Sequence, residues 1–213
     1  MTAKPLILSL FVVAVVLAVA TVAWWPARND RASGEPFIEV AKGAHVLVEP
    51  DAVAEFRLLD HEGKPFENAA LTGKWSFLFF GFTHCPDACP TTLAVFNEVH
   101  RTLSVRPDGT RDVQFVLVSV DPARDTPQLL REYVTRFNPA FVGVTGDEAD
   151  IARLSQSVGV MYAKVPGPTP ESYSMDHSTA VLLTNPEGKL HGIFAAPHAP
   201  QDMAQAFLKM RAR

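Results

Sequence analysis

Two nearly unbroken apolar runs, WSFLFFGF at residues 75–82 and DVQFVLVSVD at residues 112–121, decide most about how this chain folds. A strand with one wet face alternates apolar and polar side chains. A strand covered on both faces does not, and such runs belong to parallel sheets sheathed by helices. The segment between the runs supplies a covering helix. Across residues 90–104, Leu93, Phe96, Val99, His100 and Leu103 recur at helical spacing, and Pro90 suits a first-turn position.

A second helix follows DPARDTP, with Leu129, Leu130, Tyr133, Val134 and Phe137 as its apolar stripe. A third covers residues 147–158 and a last one residues 199–210. STAVLLTNPEGKLHGIF reads as a hairpin turning at Asn185-Pro186-Glu187-Gly188, and AEFRLLDHEGKPF as two short strands turning at Glu62-Gly63. A βαβ unit followed by an antiparallel hairpin and a closing helix is an α/β sandwich of the thioredoxin-like kind. Periodicity alone supports the sandwich. The thioredoxin-like label leans on both cysteines lying between a strand and a helix.

Ahead of this domain, PLILSLFVVAVVLAVATVAWW at residues 5–25 carries no charge. As a helix, about 20 such residues cross the roughly 30 Å of a bilayer's hydrocarbon. Trp24 and Trp25 end the run, where aromatic rings favour the membrane–water boundary. A cleaved signal peptide has a shorter apolar core, about 7–15 residues, ending at a small-x-small site, and the residues before Trp24 make only a poor cleavage site. Residues 1–25 are therefore expected to be a single transmembrane helix and membrane anchor, residues 26–50 a tether, and residues 51–213 the folded domain. Lys4 and the amino terminus face Arg28 and Arg31 across the span, so charge decides orientation weakly. Export of the domain suits two cysteines and a metal supply, which favours an inner-membrane protein with its domain on the periplasmic side. The net charge is −4, and no basic stretch is interleaved with aromatics, which excludes a nucleic-acid footprint.

The two cysteines, Cys85 and Cys89, lie in GFTHCPDACP, between the first apolar run and the Pro90 helix. In a helical turn, residues four apart share a face with about 5–6 Å between Cβ atoms. That spacing admits a metal between two sulfurs, and a modest adjustment admits a disulfide. The helix N-terminus favours thiolates, which both a metal ligand and a nucleophile need. Three readings stay open on these residues: a structural disulfide, a thiol–disulfide exchanger, and a soft-metal site. So small a loop gains little from a structural staple. Two thiolates suit Cu(I), and an added imidazole suits Cu(II) or zinc.

Seven histidines are available as a third ligand. His84 adjoins Cys85 but points to the opposite side of an extended segment. His100 lies on a helix stripe and reads as packed or half-exposed. His61, His191, His45 and His198 read as solvated turn, tether or loop positions. His177, in YSMDHSTAVLL, precedes a strand whose entry in a thioredoxin-like fold faces the cysteine turn. A capping role for Asp176-His177-Ser178 is the alternative for that stretch. Asp125, before Pro127, reads chiefly as a helix start, with Asp121 and Arg124 as further candidates near the site.

Together, FTHCPDACPTTL, VSVDPARDTPQLLREYVTRFNP and YSMDHSTAVLLTNPEGKL resemble the Sco/SenC family, membrane-tethered thioredoxin-like copper chaperones of cytochrome c oxidase assembly. The resemblance covers residues 51–213. It implies copper, as Cu(I) and Cu(II), bound by Cys85, Cys89 and His177, with Cys85 and Cys89 also redox-active. It implies the Cu-A site of cytochrome c oxidase subunit II as acceptor, and another copper chaperone as a candidate partner. Asp87 and Asp176 are candidate charge and orienting neighbours, though turn and capping roles explain them equally. No catalytic residue is assigned. A thiol–disulfide reductase keeping the Cu-A cysteines reduced is the rival reading, and a copper or redox sensor is a third.

Overall fold

The computed structural model describes residues 36–107, 109–169 and 172–212. Its first strands are β1 (Phe37–Ala41), β2 (Ala44–Ala52), β3 (Arg57–Asp60), β4 (Pro65–Glu67) and β5 (Trp75–Gly81). Helix α1 (Ala88–Ser104), β6 (Val113–Ser119), α2 (Pro127–Thr135), β7 (Val142–Gly146) and α3 (Glu148–Ser157) follow. The chain closes with β8 (Tyr162–Pro166), β9 (Tyr173–His177), β10 (Val181–Thr184), β11 (Lys189–Phe194) and α4 (Pro200–Arg211).

The two apolar runs become neighbouring parallel strands, in register from Trp75 opposite Val113 to Gly81 opposite Ser119. Every residue of β5 is buried, and all of β6 except Val113. They sit in a nine-stranded sheet of order β1-β2-β11-β10-β5-β6-β7-β3-β4. The pairs β5–β6 and β6–β7 are parallel. The hairpin β10–β11 joins β5 antiparallel, as the thioredoxin-like arrangement requires. On one face, α1 and α4 pack together over an aromatic cluster centred on Phe77. Its ring stacks on Phe115 at 4.8 Å and meets Phe207 at 5.1 Å and Phe194 at 5.7 Å. Each such pair adds about 0.5–1.5 kcal/mol beyond its buried area.

The structure departs from the sequence reading in several places. The expected tether through residue 50 is partly folded: β1 and β2 pair as a hairpin, β2 joins β11, and Ala44, Val46 and Leu47 are buried. The compact unit begins at Pro36, because these apolar side chains have a sheet edge to cover. Helix α1 begins at Ala88 rather than Pro90, which brings Cys89 inside its first turn. Strand β7 and the ribbon of β8 and β9 form where the sequence reading assigned no element. The apolar run of residues 5–25 lies outside the described residues. Among those described, no helix is long and apolar enough to cross a membrane.

Candidate metal centre

Strand β5 ends at Gly81, and the chain then turns into α1. A helix leaves its first N–H groups without intrahelical partners. Asp87 stands at the N-cap position, but its side chain makes no capping hydrogen bond. Sulfur stands in for part of the missing cap, because the backbone N–H of Cys89 donates to Sγ of Cys85 over 3.4 Å. Cys85 is partly exposed and Cys89 is fully buried, and both are free thiols.

The third member arrives from the far end of the chain. His177 closes β9, opposite Tyr162, and stands at the same end of β5 as the cysteine turn. Its Nδ1 lies 3.0 Å from the carbonyl oxygen of Ser178. A carbonyl only accepts, so Nδ1 carries the proton and Nε2 keeps its lone pair. That lone pair faces Sγ of Cys89 at 3.6 Å, and the thiol donates to it. Phe79 and Phe82 stand edge-on to the imidazole with centroids at 5.7 Å and 5.9 Å, walling the ring with apolar surface. The sulfurs of Cys85 and Cys89 and a ring nitrogen of His177 all lie within 4.8 Å of one another. Two soft sulfurs and one imidazole form a donor set suited to Cu(I), Cu(II) or zinc.

Burial pushes the Cys89 thiol well above the ordinary range, with the neighbouring Cys85 and Asp125 acting in the same direction. The helix start was expected to favour a thiolate. At Cys89, desolvation wins over it.

The other histidines stand apart from this cluster. His84 is half-exposed, with Nδ1 3.0 Å from Oγ1 of Thr83. His100 packs between Phe115 and Phe141, as its helix stripe suggested. His61 is not merely solvated: its Nδ1 accepts from the N–H of Gly143 at 3.0 Å and so ties β7 to the end of β3. His191 lies within β11 against the ring of Trp75, at 5.2 Å. His45 is in β2 opposite Ile193, and His198 reaches the carbonyl of Thr179 at 2.9 Å. Asp176 is exposed, and the partner that orients His177 is the Ser178 carbonyl.

The sequence reading placed Asp125 at a helix start, but the cap of α2 is Thr126, whose hydroxyl accepts from Leu129 N–H at 3.2 Å. Asp125 is wholly buried and turned toward the cysteine loop. It accepts from the N–H of Thr83 at 3.1 Å, the hydroxyl of Thr83 at 2.6 Å and the hydroxyl of Ser119 at 2.7 Å. Tyr173 gave no site signal in the sequence. Its hydroxyl donates to Asp121 at 2.8 Å, and the guanidinium of Arg124 lies 3.7 Å over its ring.

Residues 46–212 match the family model described as SCO1/SenC. The mitochondrial protein SCO2 homolog of Mus musculus is 36% identical over 152 residues, covering 71% of this chain and 59% of that protein. The chain thus spans less than two thirds of this relative's length. Two solved structures share the fold. ScoI of Arabidopsis thaliana with copper bound is 34% identical, covers 74% of this chain and 96% of that one, and superposes with a TM-score of 0.69. ScoI of Bradyrhizobium japonicum with copper bound is 34% identical, covers 75% and 98%, and gives a TM-score of 0.66. With the family match running from β2 into the last helix, and so enclosing Cys85, Cys89 and His177, the chain belongs to the SCO1/SenC family.

Proposed function

We propose that this protein is a membrane-anchored copper chaperone that holds copper on Cys85, Cys89 and His177 and delivers it to the Cu-A site of cytochrome c oxidase subunit II. The observation that carries this reading is the convergence of two sulfurs and an imidazole nitrogen within 4.8 Å. The copper-bound relatives of similar fold favour copper over zinc as the cargo. Cu(I) is satisfied by the two sulfurs, and the harder Cu(II) draws more on His177 nitrogen. Delivery proceeds by ligand exchange, each acceptor thiolate or imidazole displacing one donor. Partial exposure of Cys85 and His177 leaves a sulfur and an imidazole open to an incoming ligand, while Cys89 is buried. Exchange with an external disulfide, which takes two electrons from the Cys85 and Cys89 sulfurs and is itself reduced to two thiols, would leave a Cys85–Cys89 disulfide, remove both sulfur ligands and release the ion. The uncharged run of residues 5–25 supports an anchor in the inner membrane, with the domain on the periplasmic side.

A reductase reading draws on the same two free thiols, which are near enough to close a disulfide after a small movement. In that case Cys85 and Cys89 give up two electrons and two protons to the oxidised Cu-A cysteines and become a disulfide. Mixing the Cu(I)-loaded chain with a reduced, metal-free Cu-A domain separates the two. A chaperone transfers copper and keeps its thiols reduced. A reductase instead reduces about one oxidised Cu-A disulfide per chain with no copper present, its own thiols becoming a disulfide, and a chain that does only this contradicts the chaperone reading.

A further inference from the structure

We infer that the segment joining β6 to α2, residues 120–126, is the frame that positions the metal centre, with Asp125 holding the cysteine turn and Asp121 holding the ribbon that presents His177. This inference rests on the copper-site reading above and adds two positioning carboxylates to it.

Asp125 is 0% exposed, and among the described residues no lysine or arginine pairs with it. Its one ionisable neighbour at ion-pair range is His84, whose Nδ1 is 4.0 Å away. A buried carboxylate is costly unless donors surround it. Here the donors are the N–H and hydroxyl of Thr83 and the hydroxyl of Ser119. Thr83 lies two residues before Cys85, and Ser119 ends β6 opposite Gly81. The carboxylate therefore clamps the exit of β5 at the point where the chain turns toward its first sulfur. Helix α2 has Thr126 for its cap, so capping leaves this carboxylate unexplained.

Asp121 does the corresponding work on the other side. It is 3% exposed, accepts from the Tyr173 hydroxyl and pairs with Nε of Arg124. Arg124 in turn donates to the Tyr173 carbonyl at 3.2 Å and covers one face of its ring, with the ammonium of Lys164 3.8 Å from the ring centroid. Tyr173 begins β9 and His177 ends it. Because the β8–β9 ribbon is outside the nine-stranded sheet, sheet pairing does not fix its place. The Tyr173 clamp ties it to the end of β6 instead.

The two clamps are separable by copper oxidation state. Asp125 acts through the sulfurs, which both states use. Tyr173 acts through His177, which Cu(II) needs more. Asparagine at 125 would set an amide NH2 against donors that require an acceptor. Partners that orient metal ligands typically change metal affinity by about 10–100-fold when altered.

The test titrates the full chain and its Asp125→Asn, Thr83→Val, Tyr173→Phe, His177→Ala and Cys85→Ser variants. Cu(I) is followed by competition with a chromophoric chelator and Cu(II) by its sulfur charge-transfer band. The urea midpoint of each metal-free variant is measured alongside. Asp125→Asn should weaken both copper states by about 10-fold, and Thr83→Val should act in the same direction to a smaller extent. Tyr173→Phe should weaken Cu(II) by about 10-fold and Cu(I) distinctly less. Thr83→Val decides the cysteine clamp should Asp125→Asn fail to fold. The inference is overturned if folded Asp125→Asn and Thr83→Val bind as the parent does, or if Tyr173→Phe weakens both states equally. A lowered urea midpoint with an unmoved Cu(II)-to-Cu(I) ratio for Tyr173→Phe also overturns it, since that is what a purely structural role produces. Parent-like binding by His177→Ala and Cys85→Ser removes the copper-site reading itself, and the frame with it.

Discussion

Gly81 and Cys89 approach so closely that a methyl group on Gly81 would stand 2.7 Å from the Cys89 sulfur. The same methyl would lie 3.0 Å from Cε1 of Phe79 and 3.2 Å from Cδ1 of Leu117, both fully packed. The last residue of β5 thus makes room for the buried sulfur, and the space admits nothing more. Gly81→Ala is expected to cost about 1–3 kcal/mol of stability through overpacking. It should also weaken copper binding by shifting Sγ. Urea unfolding of the metal-free chain and a Cu(I) titration check the pair of effects, and a variant that matches the parent in both contradicts this packing.

Proton competition at Cys89 gives a pH dependence. Burial holds its proton on, with the charges of Cys85 and Asp125 adding to the effect. A bound cation must displace that proton, so binding releases it and affinity rises with pH. Each thiol proton that Cu(I) displaces adds about one decade of affinity per pH unit near neutrality, so the Cys89 proton alone contributes about one decade to the slope. Competition titrations from about pH 6 to about pH 8, corrected for the chelator's own protonation, measure the slope. A flat profile means that Cys89 is not the ligand that loses a proton.

His100 predicts an acid-side loss of stability unrelated to copper. Burial against Phe115 and Phe141 lowers its pKa below the ordinary 6.5, and Asn138 Nδ2 lies 3.3 Å from Nδ1, a contact suited to the neutral ring. The unfolded chain takes up a proton near the ordinary 6.5, whereas the folded chain resists it. Stability from this group is therefore complete above 6.5 and falls as pH drops below that value, until the folded protein protonates too. His100→Gln should flatten the decline in urea midpoint between about pH 7 and about pH 5 relative to the parent. An unchanged slope would show that other groups carry the whole acid response.

What could be read from sequence followed the range of the interaction. β5 and β6 were legible because burial on both faces writes itself into consecutive residues. β7 was not, since two of its five residues are glycines and its place depends on tertiary packing. A Cβ on Gly143 would come within 2.9 Å of Leu130 Cβ, so this glycine serves the seating of α2 rather than any local signal. Cys85, Cys89 and His177 stood out because their residue types carry the chemistry and three motifs in order resemble one family. Asp125 and Tyr173 did not. Their contacts to Thr83 and Asp121 cross 42 and 52 residues of chain; Asp125 had a sufficient local explanation as a helix start, and Tyr173 carried no local signal.

Whether Cys85, Cys89 and His177 act together as one copper site is decided by a copper titration of the reduced full chain, under anaerobic conditions, beside His177→Ala. A three-ligand site yields one tightly held Cu(I) per chain. With Cu(II) it yields a sulfur-to-copper charge-transfer band that His177→Ala weakens strongly. A variant that binds Cu(II) with the parent's affinity and spectrum would remove His177 from the site and leave the three-ligand centre without support.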